Sequence, residues 1–290
     1  MERNSKLMLA AATTLFGTIG LIRRAIPLAS SVIACVRGFV GAAFLLLLLL
    51  LRKKHLSKDA IKANGKLLVL SGAAIGLNWV LLFEAYNYTS VAIATLCYYM
   101  APVFVMLLSP LVLGEKLTRR KLLCVLVALM GMVFVSGVFD EGMSGTSDDR
   151  GILFGLGAAA LYACVIMTNQ KLHDIPTYDK TITQLVMASV VTLPYVLLTQ
   201  ELGVMSISPQ TIGLLLVAGV LQTGIAYALY FGSMDALDAQ TVAIFGYIDP
   251  VVAILLSALI LGETLDFGGI IGAILILGAA FFSELPAKQK

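Results

Sequence analysis

Long apolar runs, separated by short polar or charged segments, make up most of this chain. The run from Leu28 to Leu51 contains a single charged residue, Arg37. A membrane-spanning helix needs about 20 predominantly apolar residues. The runs are longer than the strands of a membrane barrel and lack a two-residue alternation. The pattern therefore predicts an all-α integral membrane protein with ten transmembrane helices, at about 6–22, 28–51, 66–87, 90–113, 119–139, 151–171, 180–199, 210–232, 239–262 and 266–284.

Two stretches of the chain, 99–117 and 247–265, repeat each other at a constant offset without a gap. The shared positions are Tyr99 and Tyr247, Pro102 and Pro250, Ser109 and Ser257, Gly114 and Gly262, and Glu115 and Glu263. Lys116, Arg119, Arg120 and Lys121 follow the first copy, whereas no Lys or Arg lies between Glu263 and Glu284. Because basic residues mark cytoplasmic helix ends, the two copies are predicted to insert in opposite orientations.

The distribution of Lys and Arg also predicts the topology. Ten spans place both termini on one side, and that side collects 16 of the Lys and Arg residues against 3 on the other. We therefore expect both termini in the cytoplasm and the acidic 140–149 connection outside, in the plasma membrane. Residues 1–143 and 150–290 are predicted to form two inverted five-helix repeats.

Composition narrows the function further. Of the residues, 59% are hydrophobic and 13% are charged. The net charge of +3 reflects the Lys and Arg residues at the predicted cytoplasmic helix ends and does not indicate a nucleic-acid-binding surface. The sequence contains no zinc, serine-hydrolase or nucleotide-binding motif, and both histidines lie in connections. We therefore expect no metal, cofactor or enzymatic activity. Transport would depend on solute or ion gradients, with protons as a candidate coupling ion, and the oligomeric state is left open.

The third and fourth helices carry a family resemblance. They contain Asn78, Trp79, Glu84, Ala85, Tyr86, Tyr99, Ala101 and Pro102, and end in Leu113, Gly114, Glu115, Lys116, Leu117. This passage resembles the repeat of the drug/metabolite transporter superfamily, EamA-domain branch, and Arg37-Gly38-Phe39 is similar to its Arg-Phe signature. The resemblance implies a 5+5 inverted bundle with helices 1, 3, 4, 6, 8 and 9 around a central cavity and helices 5 and 10 at the periphery. It implies transport of amino acids, metabolites, purines or drugs.

Two charged residues, Arg37 and Asp249, lie near the middle of predicted spans. A cation at the position of Arg37 costs at least about 2.5 kcal/mol, so it must face protein or water. It either clamps a substrate carboxylate or phosphate or ties the second helix to its neighbours. Asp249 precedes Pro250, while the first copy has Ala101 at that place, so the repeat does not require the carboxylate. It either binds an amine or a proton, or it pairs within the protein, with Arg37 as one partner.

Other polar residues extend the candidate set. Glu84 either reaches the membrane interface or, if its helix continues to Tyr88, lies deeper and forms a second carboxylate for proton coupling. Glu115 and Glu263 are expected to fix helix ends or loops, and Pro102 and Pro250 to kink their helices. Polar and aromatic side chains on helices 3, 4, 6, 8 and 9 are expected to line the cavity: Asn78, Trp79, Tyr98, Tyr99, Tyr162, Asn169, Gln170, Gln222, Tyr227, Tyr230 and Tyr247.

Together these features predict a secondary transporter, more specifically an exporter, of small organic solutes such as amino acids, working by alternating access around a midplane site. A drug or organic-cation exporter of the same fold is the alternative. An intramembrane enzyme using Asp249 and Glu84 is a more distant one.

Overall fold

A computed structural model describes residues 2–19, 22, 25–88, 94, 97–135, 149–200, 207–261 and 267–284. These residues form helices and turns and contain no strand, which confirms the all-α class. The helices are α1 Glu2–Gly17, α2 Ser30–Leu51, α3 Lys58–Ala63, α4 Gly65–Tyr88, α5 Ala101–Val112, α6 Arg119–Val135, α7 Asp149–Gln170, α8 Thr177–Thr199, α9 Pro209–Gly219, α10 Ala226–Ser233, α11 Ala239–Phe245, α12 Ile248–Leu261 and α13 Phe267–Glu284.

Five helical stretches are long and apolar enough to cross a membrane. They are Ser30–Leu51, Gly65–Ala85, Asp149–Gln170, Thr177–Thr199 and Pro209–Ser233. Ala101–Val112, Ala239–Ala253 and Ile270–Ala279 are apolar but shorter. The protein is therefore a multi-pass membrane protein, while the full set of ten spans stays a prediction.

The central part of the bundle is built from helices of both predicted halves. Helix α4 packs against α7 and α8, α2 packs against α8, and α1 packs against α10 and α12. Backbones come very close where α4 meets α8, because a Cβ atom at Gly76 would lie 2.5 Å from the carbonyl oxygen of Ala188. At the edge of the bundle, α6 and α13 pack against each other.

A π-helical turn, Val220–Ile225, joins α9 to α10. The hydroxyl of Thr223 donates to the carbonyl of Ala218, five residues earlier, at 3.0 Å. The turn packs against α2, where a Cβ atom at Gly41 would lie 2.9 Å from the nitrogen of Gly224. The stretch from Pro209 to Ser233 is therefore one continuous helical segment with a π-helical turn near its middle.

The ninth predicted span, 239–262, is not one continuous helix. Helix α11 ends at Phe245, residues 246 and 247 form a turn, and α12 begins at Ile248. Tyr99 and Met100 form a turn at the matching place, just before α5. In each copy the proline stands in the first turn of the new helix, where its missing N–H leaves no hydrogen bond unmade. Pro102 and Pro250 thus each follow a turn that interrupts the predicted span, close to where a kink was expected.

Candidate functional site

A cavity of about 240 Å³ lies inside the helix bundle. Its lining residues come from α1 and the segment just after it, from α2, α4, α7, α10 and α12, and from the two residues 98 and 99 that precede α5: Phe16, Ile19, Arg37, Asn78, Trp79, Leu82, Tyr98, Tyr99, Tyr162, Tyr227, Tyr230 and Asp249. The resemblance implied helices 1, 3, 4, 6, 8 and 9 around this space. The structure adds the second helix, which contributes Arg37.

Arg37 reaches the cavity from the middle of α2. Its guanidinium carbon lies 4.8 Å from the centre of the Trp79 ring, a cation–π distance. Its Nε atom is buried and has no hydrogen-bond partner among the described residues. A buried donor without a partner costs roughly 1–3 kcal/mol. The guanidinium of Arg37 therefore lines the cavity with one of its donors unpaired among the described residues.

Asp249 reaches the same cavity from the first turn of α12. The hydroxyl of Tyr99 interacts with its carboxyl group. The ion pairs of the described residues do not include one between Asp249 and Arg37. The cavity therefore contains one guanidinium and one carboxyl group that do not form an ion pair with each other among the described contacts.

Aromatic rings form most of the remaining wall. Tyr162 and Tyr230 are joined through their hydroxyl groups at 2.6 Å, with their rings stacked at 6.4 Å. The ring of Phe16 lies 5.0 Å from that of Tyr227, edge to face. Asn78 is held in place because its Nδ2 donates to the carbonyl of Ala158 at 2.6 Å. These contacts hold the aromatic rings and Asn78 in place around the cavity.

Three predicted site residues do not line this cavity. Gln222 is buried and donates to the hydroxyl of Thr18 at 2.6 Å, and its Oε1 has no partner among the described residues. Tyr247 is fully buried and donates to the carbonyl of Tyr99 at 3.0 Å. Helix α4 does continue to Tyr88, and the carboxylate of Glu84 accepts a hydrogen bond from Tyr195.

Two further predicted residues lie close to the end of α7. Asn169 donates to the hydroxyl of Ser71 at 3.0 Å, and Gln184 donates to that hydroxyl and to Asn169. Gln170 donates to the carbonyl of Leu237 at 2.7 Å. These residues join α4, α7 and α8 and the connection before α11. The Ser71–Asn169–Gln184 cluster was not predicted as a unit, since Ser71 and Gln184 are single polar residues within apolar runs.

Glu115 lies between α5 and α6 and contacts the start of α11. Its Oε1 accepts the backbone N–H of Ala239 at 2.8 Å. Burial raises the pKa of this carboxyl group, although the N–H of Ala239 acts in the opposite direction. Glu263, the equivalent residue of the second copy, lies outside the described residues.

Asp238 caps α11 beside Glu115. Its Oδ1 accepts the N–H of Thr241 at 2.6 Å, and its Oδ2 pairs with the ammonium group of Lys121 at 2.5 Å. Burial raises the pKa of Asp238, but the hydrogen bonds from Lys121 and Thr241 outweigh it, so that this pKa lies below its ordinary value. The start of α11 is thus attached to the connection between α5 and α6.

Phe16, Ile19 and Leu82 also line the cavity and were not predicted from the sequence. They are apolar residues in apolar runs, and no local signal separates them from residues that face lipid. Among the described residues there is no group of three or more His, Cys, Asp or Glu side chains placed to hold a metal ion.

Comparison with known proteins gives a consistent result. The model of the "EamA-like transporter family" matches residues 5–137 and again residues 149–285. A Bacillus subtilis protein named "Uncharacterized transporter YxxF" is 26% identical over 285 residues, which cover 98% of this chain and 90% of that protein. An "Uncharacterized transporter" of Archaeoglobus fulgidus is 30% identical over 196 residues, 67% of each chain.

The fold also matches a solved structure. A crystal structure superposes with a TM-score of 0.88 over 98% of both chains, at 18% sequence identity. At this identity the likeness concerns the fold alone.

Proposed function

The chain belongs to the EamA-like transporter family, and we propose that it is a secondary transporter that exports small zwitterionic solutes, such as amino acids or related metabolites. The solute binds in the 240 Å³ cavity, and access to the cavity alternates between the two sides of the plasma membrane. The termini lie in the cytoplasm, as the Lys and Arg distribution predicts.

The presence of Arg37 and Asp249 in one cavity is the observation that carries this proposal. An amino acid presents a carboxylate and an ammonium group a few bonds apart. Its carboxylate meets the planar donor fork of Arg37, and its ammonium group meets the carboxylate of Asp249. A buried charge is costly without a partner, so a zwitterion that supplies both partners is favoured over a neutral solute.

The aromatic wall serves the rest of the solute. Trp79, Tyr98, Tyr99, Tyr162 and Tyr227 offer ring faces and edges that suit an apolar or flat side chain. The small volume favours a single amino acid over a larger metabolite. Asn78 lines the same space, with its amide nitrogen already held by Ala158.

Packing between equivalent helices supports the inverted arrangement on which alternating access depends. At the offset of the sequence repeat, α6 corresponds to α13 and α2 to the greater part of α8. Each helix packs against its counterpart, as helices near a two-fold axis do. We propose residues 1–143 and 150–290 as the two repeats.

An organic-cation exporter is the second candidate, since Asp249 and the aromatic rings also suit a cationic solute. Arg37 in the same cavity argues against it, because a purely cationic solute would be repelled. The intramembrane enzyme requires Asp249 and Glu84 as a pair. Only Asp249 lines the cavity, while Glu84 is hydrogen-bonded to Tyr195.

The test is exchange transport by purified protein in proteoliposomes loaded with a mixture of amino acids. Each candidate is compared with its decarboxylated amine and its N-acetyl derivative, which lack one charge each. We expect exchange of the zwitterion and at least roughly tenfold weaker competition by both derivatives. Equal competition by the amine would favour the organic-cation exporter, and the absence of exchange with every zwitterion would reject the proposed substrate class.

A further inference from the structure

A second and larger space, about 540 Å³, lies between α6 and α13 at the edge of the bundle. It is an open groove, and its lining is almost entirely apolar apart from Arg120. Leu123 and Ile274 on its two sides are more than half exposed, with exposed fractions of 61% and 65%. None of its lining residues belongs to the central cavity. The groove therefore faces the hydrocarbon of the membrane.

The groove exists because α6 and α13 touch at one place and separate at another. A Cβ atom at Gly131 would lie 2.8 Å from the carbonyl oxygen of Gly272, so the backbones are in contact there. A Cβ atom at Gly278 would meet nothing within 4 Å. Gly278 lies 6 residues, nearly two turns, beyond Gly272. The groove is therefore an open slot toward the Arg120 end.

The mouth of the groove is basic. Arg120 lines it, and its Nε donates to the carbonyl of Phe282 at 2.7 Å. Arg119 is exposed, whereas Lys121 is engaged by Asp238. None of the ion pairs of the described residues includes Arg120. The guanidinium is thus oriented by a backbone carbonyl without its charge being neutralised.

An apolar slot with a cation at one end matches a molecule with an apolar chain and an anionic end. Basic residues at a predicted cytoplasmic helix end lie at the depth of the lipid headgroups. A guanidinium binds phosphate oxygens through parallel hydrogen bonds, and basic pockets between membrane helices on this side suit anionic headgroups.

We propose that the slot between α6 and α13 binds an anionic glycerophospholipid of the cytoplasmic leaflet. One acyl chain lies along Leu123, Val127 and Ile274 over Gly278, and the headgroup phosphate lies at Arg120. The lipid fills the space that the two helices leave open and holds their separated ends together. This site is independent of the solute cavity.

The experiment is thermal unfolding of the delipidated protein in detergent with added phosphatidylglycerol or phosphatidylcholine of identical acyl chains. A ligand that binds the folded state raises the unfolding midpoint in proportion to its affinity and concentration. Gly278→Leu fills the slot, and Gly213→Leu is its control, since Gly213 is an exposed helical glycine whose Cβ would also meet nothing within 4 Å. Arg120→Gln removes the charge at the mouth, and Arg119→Gln is the neighbouring control.

We expect phosphatidylglycerol to stabilise the wild type, Gly213→Leu and Arg119→Gln more than phosphatidylcholine does. Gly278→Leu should lose most of the response to both lipids. Arg120→Gln should bind phosphatidylglycerol roughly tenfold more weakly and lose the preference between the lipids. Because each variant is compared with its own lipid-free midpoint, loss of the bond to Phe282 does not affect the comparison.

An equal response to the two lipids in the wild type, or an unchanged response in Gly278→Leu, would overturn the proposal. Native mass spectrometry of the same samples should show a bound phospholipid mass on the monomer. A lipid-free dimer that Gly278→Leu converts to monomer would instead assign the slot to a second copy of the chain.

Discussion

Tyr99 and Tyr247, which occupy the same position of the two sequence copies, stack on each other. Their ring centres are 6.1 Å apart at an interplanar angle of 27°, and the Tyr247 hydroxyl donates to the Tyr99 carbonyl at 3.0 Å. Equivalent residues of a two-fold repeat can contact each other only close to the axis that relates them. Both residues stand in the turns that precede α5 and α12, next to the central cavity. The contact supports a two-fold axis passing beside the proposed binding site.

The first prediction concerns topology. In a background without Cys35, Cys97, Cys124 and Cys164, cysteines at Lys58 and Gln210 should react with an impermeant thiol reagent from opposite sides of the membrane. Both positions are exposed, the first in α3 and the second in α9. We expect Lys58→Cys to react only in inverted vesicles and Gln210→Cys only in intact cells. Labelling of both from one side would contradict the ten-span arrangement.

Arg37→Lys separates the two roles of the intramembrane arginine. The variant keeps the charge but loses the planar fork, so a substrate clamp predicts a KM raised roughly tenfold with little change in kcat. The measurement is exchange transport at several solute concentrations, together with the yield of monodisperse protein. If the yield collapses while the remaining molecules keep the wild-type KM, the arginine has a structural role.

Asp249→Asn tests the second charge of the cavity. The amide keeps the size of the carboxyl group and can bond to Tyr99, but it cannot titrate or pair with an ammonium group. For an amine-binding carboxylate, accumulation and exchange fall together. For a coupling carboxylate, gradient-driven accumulation is lost while exchange between equal pools continues. Wild-type accumulation with an unchanged pH profile would show that Asp249 has neither role.

Glu115 gives a prediction on stability against pH. Burial raises the pKa of this carboxyl group above its ordinary value of 4.5, so the folded state binds its proton more tightly than the unfolded state. The contribution of Glu115 to the free energy of unfolding therefore increases as the pH falls through the folded-state pKa, and it reaches its full value below pH 4.5. Glu115→Gln should lack this gain. The unfolding temperature of the wild type should therefore rise relative to that of the variant when the pH is lowered from 7.5 to about 4.5.

Glu115→Ala is the companion of that variant. Glutamine keeps an acceptor for the N–H of Ala239, whereas alanine leaves this N–H without its partner. Loss of such a cap costs about 1 kcal/mol. Glu115→Ala should therefore unfold at a lower temperature than Glu115→Gln at every pH, as measured in detergent. Equal midpoints would show that the contact with Ala239 contributes nothing to stability.

The sequence predicted the helical class and the family resemblance, both now confirmed, because apolar length and a long gapless repeat are strong local signals. It also singled out Arg37 and Asp249, since a charge inside an apolar run is conspicuous and must be accommodated. Their roles stay predictions, although both lie in the cavity. The sequence therefore identified each of the two charged residues but not the side chains that surround it.

Hydrogen-bond partners that lie far apart in the sequence could not be predicted in this way. The bond of Glu84 to Tyr195 spans 111 positions and that of Gln222 to Thr18 spans 204. Either residue could equally have faced the cavity, since the choice depends on helix rotation and packing. Pro250 predicted a kink close to residues 246 and 247, but it did not predict that the helix ends there, because hydropathy is continuous across the turn. Phe16 gave no signal because apolar residues face lipid, protein and cavity alike.

The π-helical turn Val220–Ile225 has a consequence for how the cavity is encoded. It contains one residue more than an α-helical turn, and each residue rotates the direction of its side chain by about 100° around the helix axis. Tyr227 and Tyr230 follow this insertion directly, so their angular position depends on the number of residues before them. Substitutions within the turn preserve that phase, whereas the loss of a single residue turns both rings toward a different neighbour. The positions of Tyr227 and Tyr230 in the cavity wall therefore depend on the number of residues in the turn, although none of the side chains of the turn lines the cavity.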